Sequence, residues 1–170
     1  MKTWVVSVGL VALVAVAASA DEKWVTADLD EVTTSIGTFT TERVGDTTEH
    51  RLLLNGQELD KFEGQGIALS PVLKGKAQSF LLAFYATGGS ACPGMFVAWR
   101  LKTPVVFSEQ FGTCNPAYRA RVDGDRLIVT MPSYISHPDL LSKDDARKRE
   151  RTEVVYTYVN GVLSETEVLR

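Results

Sequence analysis

Along most of the chain the apolar positions recur with a period of two or in short continuous runs, and turn residues cut those runs at close intervals. "RLLLNGQEL" (51–59) and "VYTYVNGVLSETEV" (155–168) each place Asn-Gly between apolar stretches. Asn and Gly tolerate the positive φ angles of a two-residue loop, so each pair predicts a tight hairpin. "RVDGDRLIV" (121–129) predicts a third hairpin turning at Asp123-Gly124, and Gly75 in "LKGKAQ" marks a fourth turn.

The strand bodies agree with the turns. "SFLLAFYA" (79–86) is apolar at consecutive positions, the pattern of a central strand covered on both faces. "MFVAWRL" (95–101), "RLIVTM" (126–131) and "TEVVYTYV" (152–159) are rich in β-branched and aromatic residues, while the more polar "VLSETEVL" (162–169) suits an edge. Pro71 points to an edge or a bulge, because proline donates nothing to a ladder. The sum is an all-β fold: a single antiparallel β-sandwich or barrel of about eight to ten strands with one short helix. That helix, or a mobile lobe, falls in "SHPDLLSKDDARKRER" (136–151), where Ser136, Pro138 and Asp139 make a capping-box-like start and Leu140 and Leu141 offer a docking edge. The segment "DEKWVTADLDEV" (21–32) reads as a loosely held entry.

The first twenty residues have a different pattern. Lys2 precedes an apolar run from Trp4 to Ala17, and Ala18-Ser19-Ala20 ends it with small residues at the two positions a signal peptidase reads. The run falls short of the roughly 20 apolar residues of a membrane span. The expectation is a signal peptide over 1–20 and one exported β domain over 21–170, periplasmic or secreted, with no membrane span after cleavage. The formal charge of −3 becomes −4 once Lys2 is removed, which leaves no basic footprint for nucleic acid.

Export changes the reading of the two cysteines. "GGSACPG" (88–94) holds Cys92 and "FGTCNPAY" (111–118) holds Cys114. An even count in an oxidising compartment favours a Cys92–Cys114 disulfide. Closing a loop of about twenty residues stabilises by roughly 3 kcal/mol on the chain-entropy model. Both flanks are rich in turn residues, which let two loops approach closely. A catalytic cysteine needs a free thiol and a base, and a zinc site needs two more ligands. Only His50 and His137 are available, and neither sits in a recognisable arrangement. "GGSAC" departs from the Gly-x-Ser-x-Gly nucleophile elbow at its fifth position, Cys92.

The remaining candidates carry weaker signals. No phosphate-cradling glycine motif is present, and Asp123-Gly124-Asp125 lacks the later ligands of a calcium loop. Asp28 with Asp30, or Asp144 with Asp145, would serve a glycosidase only if two acids shared a cleft. Arg147, Lys148, Arg149 and Arg151, mixed with acids, read as a solvated helix face, or alternatively as a contact arm for an acidic partner. Phe84, Tyr85, Phe96 and Trp99 read as core, or alternatively as the lining of a sugar or peptide groove.

Taken together, "GGSACPGMF", "FGTCNPAY" and "DGDRLIVTMP" resemble paired segments in a family of small exported proteins of Gram-negative bacteria, in which Gly-Gly-x-x-Cys-Pro precedes Phe-Gly-Thr-Cys. The likeness spans roughly residues 78–132. It implies a bacterial source and the disulfide, and no activity comes with it.

The expected function is therefore a non-enzymatic binding protein without a cofactor, facing an unknown protein or cell-envelope ligand, such as an envelope hydrolase that it inhibits. Its candidate binding loops are Gly88, Gly89, Ser90, Pro93 and Gly94 on one side and Gly112, Thr113 and Asn115 on the other. The alternatives are a structural or assembly component of the envelope, with 136–151 as the docking element, and a carboxylate-dependent hydrolase.

Overall fold

The computed structural model describes residues 24–135 and 140–170. The expected signal peptide lies outside the described residues, as do Ser136, His137, Pro138 and Asp139. Among the described residues the chain runs through β1 (Val25–Thr26), β2 (Glu31–Thr34), β3 (Gly37–Arg43), β4 (Glu49–Leu54), β5 (Gln57–Glu63), β6 (Gly66–Leu69) and β7 (Leu73–Lys74). It continues through β8 (Ser79–Ala86), β9 (Gly94–Arg100), β10 (Val106–Phe107), β11 (Ala117–Asp123), β12 (Arg126–Pro132), α1 (Lys143–Glu150), β13 (Thr152–Val159) and β14 (Val162–Leu169). All named pairings are antiparallel. The strands form three sheets with no closed barrel: β2-β3-β4-β5, then β10-β9-β8-β6 with β7 also on β8, then β1-β11-β12-β13-β14. The expected all-β sandwich holds. The strand number exceeds the expected one partly because β1, β7 and β10 are two-residue strands too short to leave a pattern.

β8 and β9 are the shared middle of two cores. Alternation sends Phe80, Leu82 and Phe84 of β8, with Phe96 and Ala98 of β9, towards Leu127, Val129, Met131, Tyr156 and Tyr158 of the β11–β14 sheet. The opposite positions, Leu81, Ala83, Tyr85, Val97 and Trp99, pack with Val32, Phe39 and Leu52 of the β2–β5 sheet. Each fully buried Phe or Leu side chain contributes about 1.5–3 kcal/mol of hydrophobic stabilisation. The unbroken apolar run of 79–86 is thus the sequence trace of a two-faced strand. The aromatics Phe84, Tyr85, Phe96 and Trp99 are all buried in these cores.

Two buried serines clasp this hairpin from its outer sides. The Ser70 N–H donates to the Leu82 carbonyl (2.9 Å), and the Leu82 N–H donates to Ser70 Oγ (2.9 Å). Ser108 treats Ala98 the same way, at 2.9 and 3.0 Å. Leu82 and Ala98 are themselves paired across the ladder. Pro71 follows Ser70 in the break between β6 and β7, on the outer side of β8, where its missing N–H costs no ladder bond.

The Asn-Gly hairpins form as expected. Asn55 and Gly56 take φ of 52° and 79°, and Asn160 and Gly161 take 51° and 88°. The β11–β12 turn is one position later than expected: Asp123 pairs with Arg126, so Gly124 (φ 63°) and Asp125 form the loop. The described helix starts at Lys143, and the expected start at Ser136 lies outside the described residues. Ser142 caps it, accepting from the Asp145 N–H at 3.1 Å. α1 buries no residue, in keeping with a solvated face. From Trp24 on, the entry segment is not loose. Val32 joins the core, the Asp28 and Leu29 N–H groups both donate to the Leu69 carbonyl, and Trp24 stacks beneath the Arg119 guanidinium at 4.3 Å. Apolar residues there are sparse, so their anchoring left no periodic signal.

Candidate functional site

The Cys92–Cys114 disulfide is formed, with the two Cα atoms 4.7 Å apart, and no free cysteine remains. It joins the loop between β8 and β9 to the strand-free segment before β11. Around it, the residues expected to form a binding surface separate into three groups.

Thr87, Gly88, Gly89, Ser90 and Ala91 are all exposed and form the tip of the β8–β9 loop. The tip is held by its ends. The Thr87 N–H donates to the Pro93 carbonyl at 2.8 Å, and the Thr87 hydroxyl donates to the Cys92 carbonyl while accepting from the Gly89 N–H at 3.2 Å. From the segment after β12 the Tyr134 hydroxyl donates to the Ser90 carbonyl at 2.7 Å. Gly88, at φ 80°, is required by the backbone and abuts Gln65. Gly89 is different: its φ is ordinary and the space around its Cα is open to at least 3.6 Å.

Gly112, Thr113, Asn115 and Pro93 are half-buried. Thr113 donates to the Pro132 carbonyl at 2.6 Å, and the Asn115 side chain accepts from the Ala117 N–H at 2.9 Å. The side-chain bonds of Thr113 and Asn115 go to the end of β12 and the start of β11, not to the exposed tip. Gly94 forms no part of a surface. It is a buried β9 residue, and a side chain there would run into the Tyr85 carbonyl oxygen and the Phe84 ring. The sequence could not separate Gly94 from Gly89, because what forbids a side chain at Gly94 lies on β8. Thr87 and Tyr134 were missed as anchors. The Thr-x-Gly spacing was the available signal for the first.

Beside the staple a cavity of about 220 Å³ opens between Met95, Phe111, Gly112, Tyr156 and Glu165. Burial, reinforced by Glu165, raises the Tyr156 phenol to about 12. Burial likewise raises Tyr118 to about 12. Burial also raises Tyr85, helped by its hydrogen bond to the Asp60 carboxylate at 2.8 Å. All three are structural phenols that stay protonated in the neutral range.

The other sequence candidates do not converge. Asp144 pairs with Arg147 at 3.7 Å and Asp145 with the Ser142 hydroxyl at 2.7 Å, so both serve α1. Asp28 and Asp30 are exposed. His50 lies in β4, in a different sheet from β8 and β9. Among the described residues no three His, Cys, Asp or Glu side chains form a cluster that could hold a metal ion, and no helix is long and apolar enough to cross a membrane. No protein family, curated protein or solved structure matches the chain.

Proposed function

We propose that this chain is a non-enzymatic exported binding protein, periplasmic or secreted, that presents the rigid loop 87–91 to a protein partner of the cell envelope. The partner class favoured is an envelope hydrolase whose cleft the loop enters as an inhibitor. One observation carries the reading. Five consecutive exposed residues are held at their base by a disulfide, by the Thr87 bonds and by the Tyr134 hydroxyl. A loop fixed before binding loses little conformational freedom when it docks, and that saving raises affinity. The export pattern of the first twenty residues and the resemblance of the two cysteine segments to exported bacterial proteins point the same way.

The test is wall hydrolysis by a Gram-negative envelope extract with increasing amounts of residues 21–170. Activity should fall with dose. Gly89→Trp, placed where the structure has room, should relieve the inhibition without changing the melting temperature. Inhibition that survives Gly89→Trp removes the loop assignment, and no inhibition at any dose removes the hydrolase.

A second reading, an assembly component docking through α1, has its own support. α1 buries nothing, Leu140 beside it is 79% exposed, and Arg149 reaches Glu167 only at 3.9 Å. Deleting 140–150 should abolish envelope association under this reading and leave hydrolase inhibition intact under the first.

A further inference from the structure

The opposite end of the β8–β9 hairpin has a feature the loop reading does not use. β9 alternates Phe96, Ala98, Arg100 on one face, so an arginine takes a register position that the two residues before it fill with core side chains. Arg100 pairs with Phe80 across the ladder, and the Phe80 ring meets the Tyr158 ring edge-on at 6.1 Å. The guanidinium is thus drawn in between the middle sheet and the β11–β14 sheet. Among the described residues it forms no ion pair, and its Nε is buried without a hydrogen-bond partner. The Tyr158 hydroxyl is buried and unpartnered too, in a residue only 1% exposed.

The other half-buried arginines behave differently. Arg119 reaches Glu153 at 2.7 Å, and Arg51 reaches Glu49 at 3.1 Å and Glu58 at 3.2 Å. Arg100 opens instead onto a cavity of about 510 Å³. Lys102 adds a second cation to the lining, Gln78 and Asn160 add amides, and Ala77 and Leu101 add apolar wall. The Gln78 amide nitrogen donates to the Asp125 carbonyl, which ties β8's approach to the β11–β12 turn and closes one side.

We propose that this cavity is a binding site for a small carboxylate-bearing ligand, with Arg100 gripping the carboxylate, Lys102 adding charge and the apolar wall taking a short aliphatic part. An arginine fork matches a planar carboxylate with two parallel hydrogen bonds. Partial burial strengthens that contact, because the local dielectric is lower than that of water. A carboxylate is favoured over a phosphate because Asp125 is among the residues lining the same cavity, and a ligand of lower negative charge meets less repulsion there. Arg100 has no ion-pair partner of its own among the described residues, so the ligand carboxylate would be its first. The site lies seven residues of β8 away from the loop tip, roughly 23 Å at strand rise. It therefore stands or fails independently of the inhibitor reading.

The test uses NMR titration of residues 21–170 with butyrate, butyramide and inorganic phosphate, reading the Arg100 Nε–H and the signals of Tyr158. Butyrate should shift both in a saturable way, and butyramide should not. Arg100→Gln should abolish the effect, and Lys102→Gln, at an exposed position, should weaken it several-fold. The proposal is overturned if butyrate does not saturate, if butyramide matches it, or if phosphate saturates where butyrate does not. If Arg100→Gln fails to fold, Lys102→Gln decides, and unchanged affinity in that variant overturns the proposal.

Discussion

The two ends of the β8–β9 hairpin share one pair of strands and differ in nearly everything else. At the 86–94 end the chain turns through an exposed tip whose base is saturated with bonds: a disulfide, a short Thr87 network and a tyrosine from the segment after β12. At the 79–100 end the polar groups are under-bonded, with the Arg100 Nε and the Tyr158 hydroxyl buried and unpartnered. The middle is symmetric, since Ser70 and Ser108 clasp the paired residues Leu82 and Ala98 in the same manner. The contrast separates two ways of building a recognition surface. One fixes a protruding backbone in advance. The other leaves donors that a ligand can complete.

Six substitutions or conditions test that contrast. Gly94→Val strikes where the tip enters β9, and its side chain meets the Tyr85 carbonyl and the Phe84 ring. Overpacking against a strand partner should cost about 4 kcal/mol, read by urea unfolding. A near-neutral result would mean that the tip's base is softer than described. Replacing both cysteines by alanine should cost about 3 kcal/mol and disorder 87–91, which hydrogen exchange would report. If the loop amides exchange no faster, the Thr87 and Tyr134 bonds alone hold the tip.

Ser70→Ala and Ser108→Ala each orphan a buried backbone N–H. Each should cost about 2 kcal/mol, and clearly unequal losses would break the symmetry of the middle. Gly89→Trp should leave stability within about 0.5 kcal/mol while altering partner capture, because nothing crowds that position. A large loss of stability would show that the tip is packed rather than free.

The last test is alkaline. Tyr118 and Tyr156 are both raised from 10.0 to about 12 in the folded chain. The folded state then holds protons that the unfolded state releases. Their contribution to stability is full below pH 10 and is lost as pH rises through about 12. Unfolding followed together with the NMR-resolved ring signals of Tyr118 and Tyr156 should show the two changes in that window, and deprotonation of either ring near pH 10 in still-folded protein would contradict it.

Much of this was legible from local pattern. The Asn55-Gly56 and Asn160-Gly161 hairpins, the two-faced strand at 79–86, the edge strand at 162–169 and the paired cysteines each depend on residues close together in the chain, or on a count. Features that depend on distant partners were not legible. The anchoring of Trp24 needs Arg119, the burial of Gly94 needs β8, and the unpartnered Nε of Arg100 depends on where side chains of other segments fall. For the helix the pattern pointed to a start at Ser136 with Asp139, and both lie outside the described residues. The described cap is Ser142, bonded to Asp145.

By itself, then, the order of residues determined an antiparallel all-β chain with stated turns and one available cysteine pairing, because turn propensity, alternation and pair count are local or combinatorial properties. Only the tertiary structure decided that β8 and β9 serve two cores at once. It alone separated the exposed glycine at 89 from the buried one at 94, and left one arginine facing a cavity without an ion-pair partner among the described residues. Those outcomes depend on which surfaces meet, and the distances that set them lie between segments far apart in sequence.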